Sequence, residues 1–115
     1  MPVLNIEKLG PGKTTTLDDC PPIYFGCVTK AALTAECTYG EEAAAPLRIY
    51  VYSSYDGTHY DTAIKQPRQI RFRAGQSVRE TFTLDTYVRY IKVKVSNAES
   101  KTAVSNVKIT VSLGD

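Results

Sequence analysis

Tryptophan is absent from this chain, and histidine and methionine occur once each. A lone histidine, His59, removes every multi-histidine metal site and most catalytic triads from consideration. No stretch approaches the roughly 18 apolar residues needed to span a bilayer. The opening Met1-Pro2-Val3-Leu4-Asn5-Ile6-Glu7 also lacks a basic region followed by an apolar run. A soluble chain without signal peptide or membrane partner is therefore expected, cytoplasmic or virion-associated. Cysteine is scarce too. Cys20, Cys27 and Cys37 are spaced by seven and ten residues, which fits no paired-ligand zinc pattern. Reduced, mostly buried thiols are the expectation.

What is present fits one domain over residues 1–115, long enough to bury a core without metals or multiple bridges. Hydrophobic residues make up 43% and charged residues 23%, with eight Tyr, three Phe and many Thr and Val tilting the composition towards strands. The formal charge of +2 is too small to argue for a nucleic-acid partner. It is unevenly spread: residues 1–45 carry net −3 and residues 46–115 carry net +5.

Period-two alternation recurs five times and predicts half-buried strands. Leu47, Ile49 and Val51 alternate with Arg48, Tyr50 and Tyr52. Ile70 and Phe72 alternate with Arg71 and Arg73. Val78, Phe82 and Leu84 alternate with Arg79, Thr81 and Thr83, although Glu80 falls on the apolar side. Ile91, Val93 and Val95 alternate with Lys92 and Lys94, and Val107, Ile109, Val111 and Leu113 with Lys108, Thr110 and Ser112. Turn residues separate them at Asp56-Gly57, Ala74-Gly75-Gln76, Asp85-Thr86, and Ser96-Asn97-Ala98 through Ser100. Without crossover helices, this spacing predicts an all-β, antiparallel β-sandwich of jelly-roll type with about seven or eight strands. The expected core includes Ile49, Val51, Phe72, Phe82, Ile91, Val93, Val95, Ile109 and Val111. In the first 45 residues, Ile23 to Tyr39 reads as one bent strand or two short ones. Lys13 to Leu17 reads as an edge strand, and Glu41 to Ala45 as a loop confined by Gly40 and Pro46.

The motifs that resemble chemistry fail on context. Gly12-Lys13-Thr14 imitates the end of a phosphate-binding loop, but Glu7 stands where the first glycine belongs and no helix follows. A Ser53 or Ser54, His59 and Asp56 or Asp61 triad would need three residues of one hairpin loop to converge without a strained elbow. Asp56 and Asp61 offer oxygens to Ca²⁺ without the spacing of a calcium loop. Asp18-Asp19 and Glu41-Glu42 are adjacent pairs that point apart on extended chain. No catalytic, cofactor-binding or metal-ligating residue is assigned, and no enzyme activity is expected. The candidate interaction surface is instead Arg48, Tyr50, Tyr52, Tyr55, Tyr60, Arg71 and Arg73, since Tyr and Arg are over-represented at interface hot spots.

The run Leu47-Arg48-Ile49-Tyr50-Val51-Tyr52-Ser53-Ser54-Tyr55-Asp56-Gly57-Thr58-His59-Tyr60, followed by Thr86-Tyr87-Val88-Arg89-Tyr90-Ile91-Lys92-Val93, resembles galactose-binding-like, discoidin-type jelly-roll domains over residues 47–111. The resemblance implies a β-sandwich and, as one function, carbohydrate binding. The family's tryptophans are absent and its ligand loops have no counterpart here, so no binding residue carries over. A likeness in kind to accessory structural proteins of phage and virus particles, which decorate capsids or tails, implies protein partners and a homo-oligomer or larger assembly. The primary expectation is thus a non-enzymatic structural or interaction module, with glycan binding as the alternative.

Overall fold

Alternating apolar residues become strands because each alternation offers one face to a core, and two such faces must cover each other. The computed structural model describes residues 2–63, 67–99 and 101–114. Its strands are β1 Pro2–Leu9, β2 Ile23–Tyr24, β3 Lys30–Tyr39, β4 Leu47–Ser54, β5 Arg68–Gln69, β6 Ser77–Thr83, β7 Tyr90–Asn97 and β8 Val104–Gly114. Sheet one has the order β1-β8-β3-β6 and sheet two the order β2-β7-β4-β5, with antiparallel pairing throughout. The first strand pairs with the last and the second with the seventh, while β3 and β6 complete sheet one and β4 and β5 sheet two. That wrapped order is the jelly roll of an eight-stranded sandwich. No helix among the described residues is long and apolar enough to cross a membrane.

Ile49, Ile91, Val93, Val95, Ile109 and Val111 are buried between the sheets, and Val51, Phe72 and Phe82 pack half-buried against them. Tyr39 is buried with them. Its hydroxyl donates to the Ile70 carbonyl at 3.1 Å and accepts from the Leu47 amide at 2.9 Å, which satisfies three buried polar groups at one point. Burial pushes this phenol well above its ordinary range.

Three expectations need correction. Ile70 to Arg73 is not a strand of sheet two, because only Arg68 and Gln69 pair with β4. Residues 70–76 instead cross to sheet one, where the Arg71 amide donates to Glu80 at 2.9 Å and the Gly75 amide to Gly40 at 2.9 Å. Glu80, out of pattern in the sequence, thus meets a backbone donor on the crossover. Lys13 to Leu17 is only a fragment of an edge: Thr14 bridges Ser96 and the Thr15 amide donates to Val95, before the chain turns into a 3₁₀ helix at Leu17–Asp19. The N-terminal strand of the sheets is β1, which the alternation did not mark. At Asn106 a left-handed backbone, φ 52°, accommodates an extra residue in β8, where Asn106 and Val107 stand opposite Cys37 alone.

Candidate functional site

β4 and β7 pair in register, with Arg48 opposite Ser96, Tyr50 opposite Lys94, Tyr52 opposite Lys92 and Ser54 opposite Tyr90. Because Ile49, Ile91, Val93 and Val95 face the core, the intervening side chains form the outer face of sheet two. Lys94 Nζ lies 5.2 Å from the Tyr50 ring centroid and 5.1 Å from that of Tyr52, and Lys92 Nζ lies 5.0 Å from that of Tyr60. Tyr50, Tyr52 and Tyr60 are accordingly half-buried, with lysines laid over their rings.

The face ends in a tightly built loop. After β4, the Ser54 hydroxyl accepts from the Gly57 amide at 2.9 Å and donates to Asp56 Oδ1 at 3.0 Å. Asp56 Oδ1 accepts from the amides of Thr58 at 2.9 Å and His59 at 2.8 Å, and Oδ2 pairs with His59 Nδ1 at 2.6 Å. The His59 amide, its ring and the Thr58 amide hold the Asp56 carboxyl far below the usual carboxylate range. The His59 ring stacks on Tyr55 at 6.4 Å. Tyr60 bridges back to Ser54, and burial pushes its phenol up, with Tyr90 and Asp56 adding to the shift.

Opposite this loop, the turn before β7 is fixed by the Tyr87 amide donating to Asp85 Oδ1 at 2.9 Å. The two loops enclose an open concavity of about 650 Å³ whose lining includes Ser53, Tyr55, His59, Asp61, Tyr87 and Arg89. Tyr24 of β2 joins the same end through Tyr90, with ring centroids 5.0 Å apart. Tyr24, Tyr55 and Tyr87 are 55%, 76% and 96% exposed, the exposed large hydrophobic residues among those described. Apolar rings held in water by rigid loops are the feature of this surface that folding does not account for.

The expected surface therefore divides. Arg48, Tyr50 and Tyr52 share the outer face of sheet two, Tyr55 and Tyr60 belong to the loop at its end, and Arg71 and Arg73 lie on the crossover between sheets. Tyr24, Tyr87, Tyr90, Lys92 and Lys94 were not among the candidates. The lysines were already visible as the polar partners of Ile91, Val93 and Val95. Tyr87 beside the Asp85-Thr86 turn was the available signal for an exposed ring.

Other chemistry is spent on the fold. Asp56 serves the loop's own donors, and Asp61 Oδ2 accepts from the Ser53 amide at 3.2 Å. Among the described residues no three His, Cys, Asp or Glu side chains gather into a group fit for a metal ion. The Ser54 hydroxyl bonds Asp56 and loop amides and has no bond to His59. All three cysteines are free, Cys27 exposed and the others buried. Desolvation raises the Cys20 thiol and pushes that of Cys37 up to about 11, which keeps it protonated at neutral pH. Comparison with known protein families, curated proteins and solved structures gives no match.

Proposed function

We propose that this chain is a non-enzymatic recognition module that works as part of a homo-oligomer or larger assembly, such as a virus particle, and contacts its partner through the tyrosine-rimmed end. The observation that supports this reading is the exposure of Tyr55 and Tyr87 on loops stiffened by Asp56 and Asp85. Tyrosine supplies large contact area for little ordering entropy, and rigid loops lower the cost of association further. Among the described residues no constellation of nucleophile, base and orienting group competes with it.

A second reading, a glycan-binding module as the discoidin-like resemblance implies, is favoured by one observation. The concavity places the Tyr55 and Tyr87 rings beside Ser53, Asp61, His59 and Arg89, which offer hydrogen-bonding groups to sugar hydroxyls. Sedimentation across protein concentration, paired with a sugar array, separates the two. The assembly reading predicts concentration-dependent association that Tyr87→Ala abolishes; the glycan reading predicts a monomer with saturable sugar binding lost in the same variant. A monomer with no array signal contradicts both.

A further inference from the structure

The outer face of sheet two carries a feature that the tyrosine-rimmed end does not use. Arg48, Lys92 and Lys94 project from neighbouring strands of one face, interleaved with Tyr50 and Tyr52. No carboxylate projects from β4, β7 or Gln69 of β5 on that side. The ion pairs among the described residues are His59 with Asp56 and Arg79 with Glu36, neither on this face. Three cations thus stand without an ion-pair partner: Lys92 Nζ donates only to the neutral Leu17 carbonyl, at 3.3 Å, and Arg48 Nε is buried with no hydrogen-bond partner. The acids that border the face are engaged in the fold: Asp19, on the 3₁₀ turn beside β7, by the Thr16 hydroxyl, Asp61 by the Ser53 amide, and Asp56 by the amides and ring of its own loop. The outer face of sheet one contrasts with this, because its middle row sets Glu36 between Lys108 and Arg79.

We propose that the outer face of sheet two binds single-stranded nucleic acid in an extended form. Charge complementarity selects a polyanion, and the interleaved rings select one with flat, stackable groups. Lys92 and Lys94 are two residues apart on a strand, about 6.7 Å, roughly twice the 3.4 Å rise per phosphate of a stacked B-form strand. A strand drawn out to that spacing has its bases unstacked and free to meet Tyr50 and Tyr52. The lysines now laid over the rings move to phosphates as bases take their places. The small net charge of the whole chain argued against such a partner. The fold changes that argument by collecting uncompensated cations on one face and leaving most of the acids elsewhere.

The test is fluorescence anisotropy of the full chain with labelled oligo(dT) and oligo(U) of about ten nucleotides, read across salt concentration, with inorganic polyphosphate as the base-free comparison. Three cations predict a slope of log affinity against log salt near −2, from about −0.7 per phosphate contact on single strands. Lys92→Gln with Lys94→Gln reduces the slope to about −0.7. Tyr52→Leu weakens binding about fivefold or more at unchanged slope. Lys108→Gln on sheet one and Tyr87→Ala at the end leave both unchanged, which separates this surface from the site proposed above. Thermal melting accompanies every variant, and Tyr50→Leu replaces Tyr52→Leu if the latter melts early. A preference for dT or U identifies the nucleic acid, and either supports the proposal. No salt-dependent binding, polyphosphate bound as tightly as the oligonucleotides, or a slope lowered equally by Lys108→Gln overturns it.

Discussion

A side-chain carbon on Gly57 would lie 3.1 Å from the Tyr90 ring, on a backbone whose φ is +81°. The loop that carries Tyr55 and His59 is thus seated on β7 by a close contact at a left-handed backbone, which glycine adopts without strain. Gly57→Ala is expected to cost about 1–2 kcal/mol from the left-handed backbone alone, with displacement of the ring adding to it. For a domain of this size each kcal/mol lowers the melting temperature by about 4–8 °C. Calorimetry checks this, and an unchanged melting temperature would show that the loop is not held against Tyr90.

Asp56 gives the loop a defined pH dependence. Its folded-state pKa lies below the unfolded value of about 3.9, so its contribution is fully present above that value. It is lost as pH falls from there through the depressed folded-state pKa. Asp56→Asn should therefore destabilise the protein at neutral pH and flatten its melting profile on acidification below about pH 4. Melting curves at a series of pH values test both halves, and parallel profiles for the two proteins would exclude the carboxylate as the source.

Tyr39 holds a different junction, where β3, β4 and the crossover meet. Tyr39→Phe keeps the ring and its edge-on contact with Phe72 at 5.1 Å, but leaves the Leu47 amide and Ile70 carbonyl without this partner. A loss of about 1–3 kcal/mol follows for an unsatisfied buried group. Urea unfolding measures it. A loss no larger than a surface substitution, within about 0.5 kcal/mol, would mean that water replaces the phenol.

These junctions also mark where the sequence is informative. Ile49 and Val51, Ile91 to Val95, and Ile109 and Val111 announce strands because their alternation is local and one side of each strand is core. In β1 the apolar set Val3, Leu4, Ile6 and Leu9 departs from period two, and its register against β8 shifts between Pro2 and Leu4. That irregularity hid the strand. Ile70 and Phe72 alternate as a strand would, yet both point inward from a crossover, which alternation cannot distinguish. The outward direction of Arg48, Tyr50 and Tyr52 was legible for the same reason as the core. The assembly of Tyr24, Tyr55 and Tyr87 was not, because it depends on long-range pairing of Ile23 with Ile91 and Ser54 with Tyr90.

The most direct test of the proposed recognition end compares the sedimentation of the wild-type chain with Tyr87→Ala and Tyr50→Ala at matched concentrations. Tyr87 is 96% exposed, so its truncation should alter stability by no more than about 0.5 kcal/mol. Truncating a central contact typically weakens association by about 2 kcal/mol or more. The account predicts that Tyr87→Ala folds normally and sediments as a monomer where the wild-type chain and Tyr50→Ala associate. Association retained by Tyr87→Ala and lost by Tyr50→Ala would contradict it and move the contact to the outer face of sheet two.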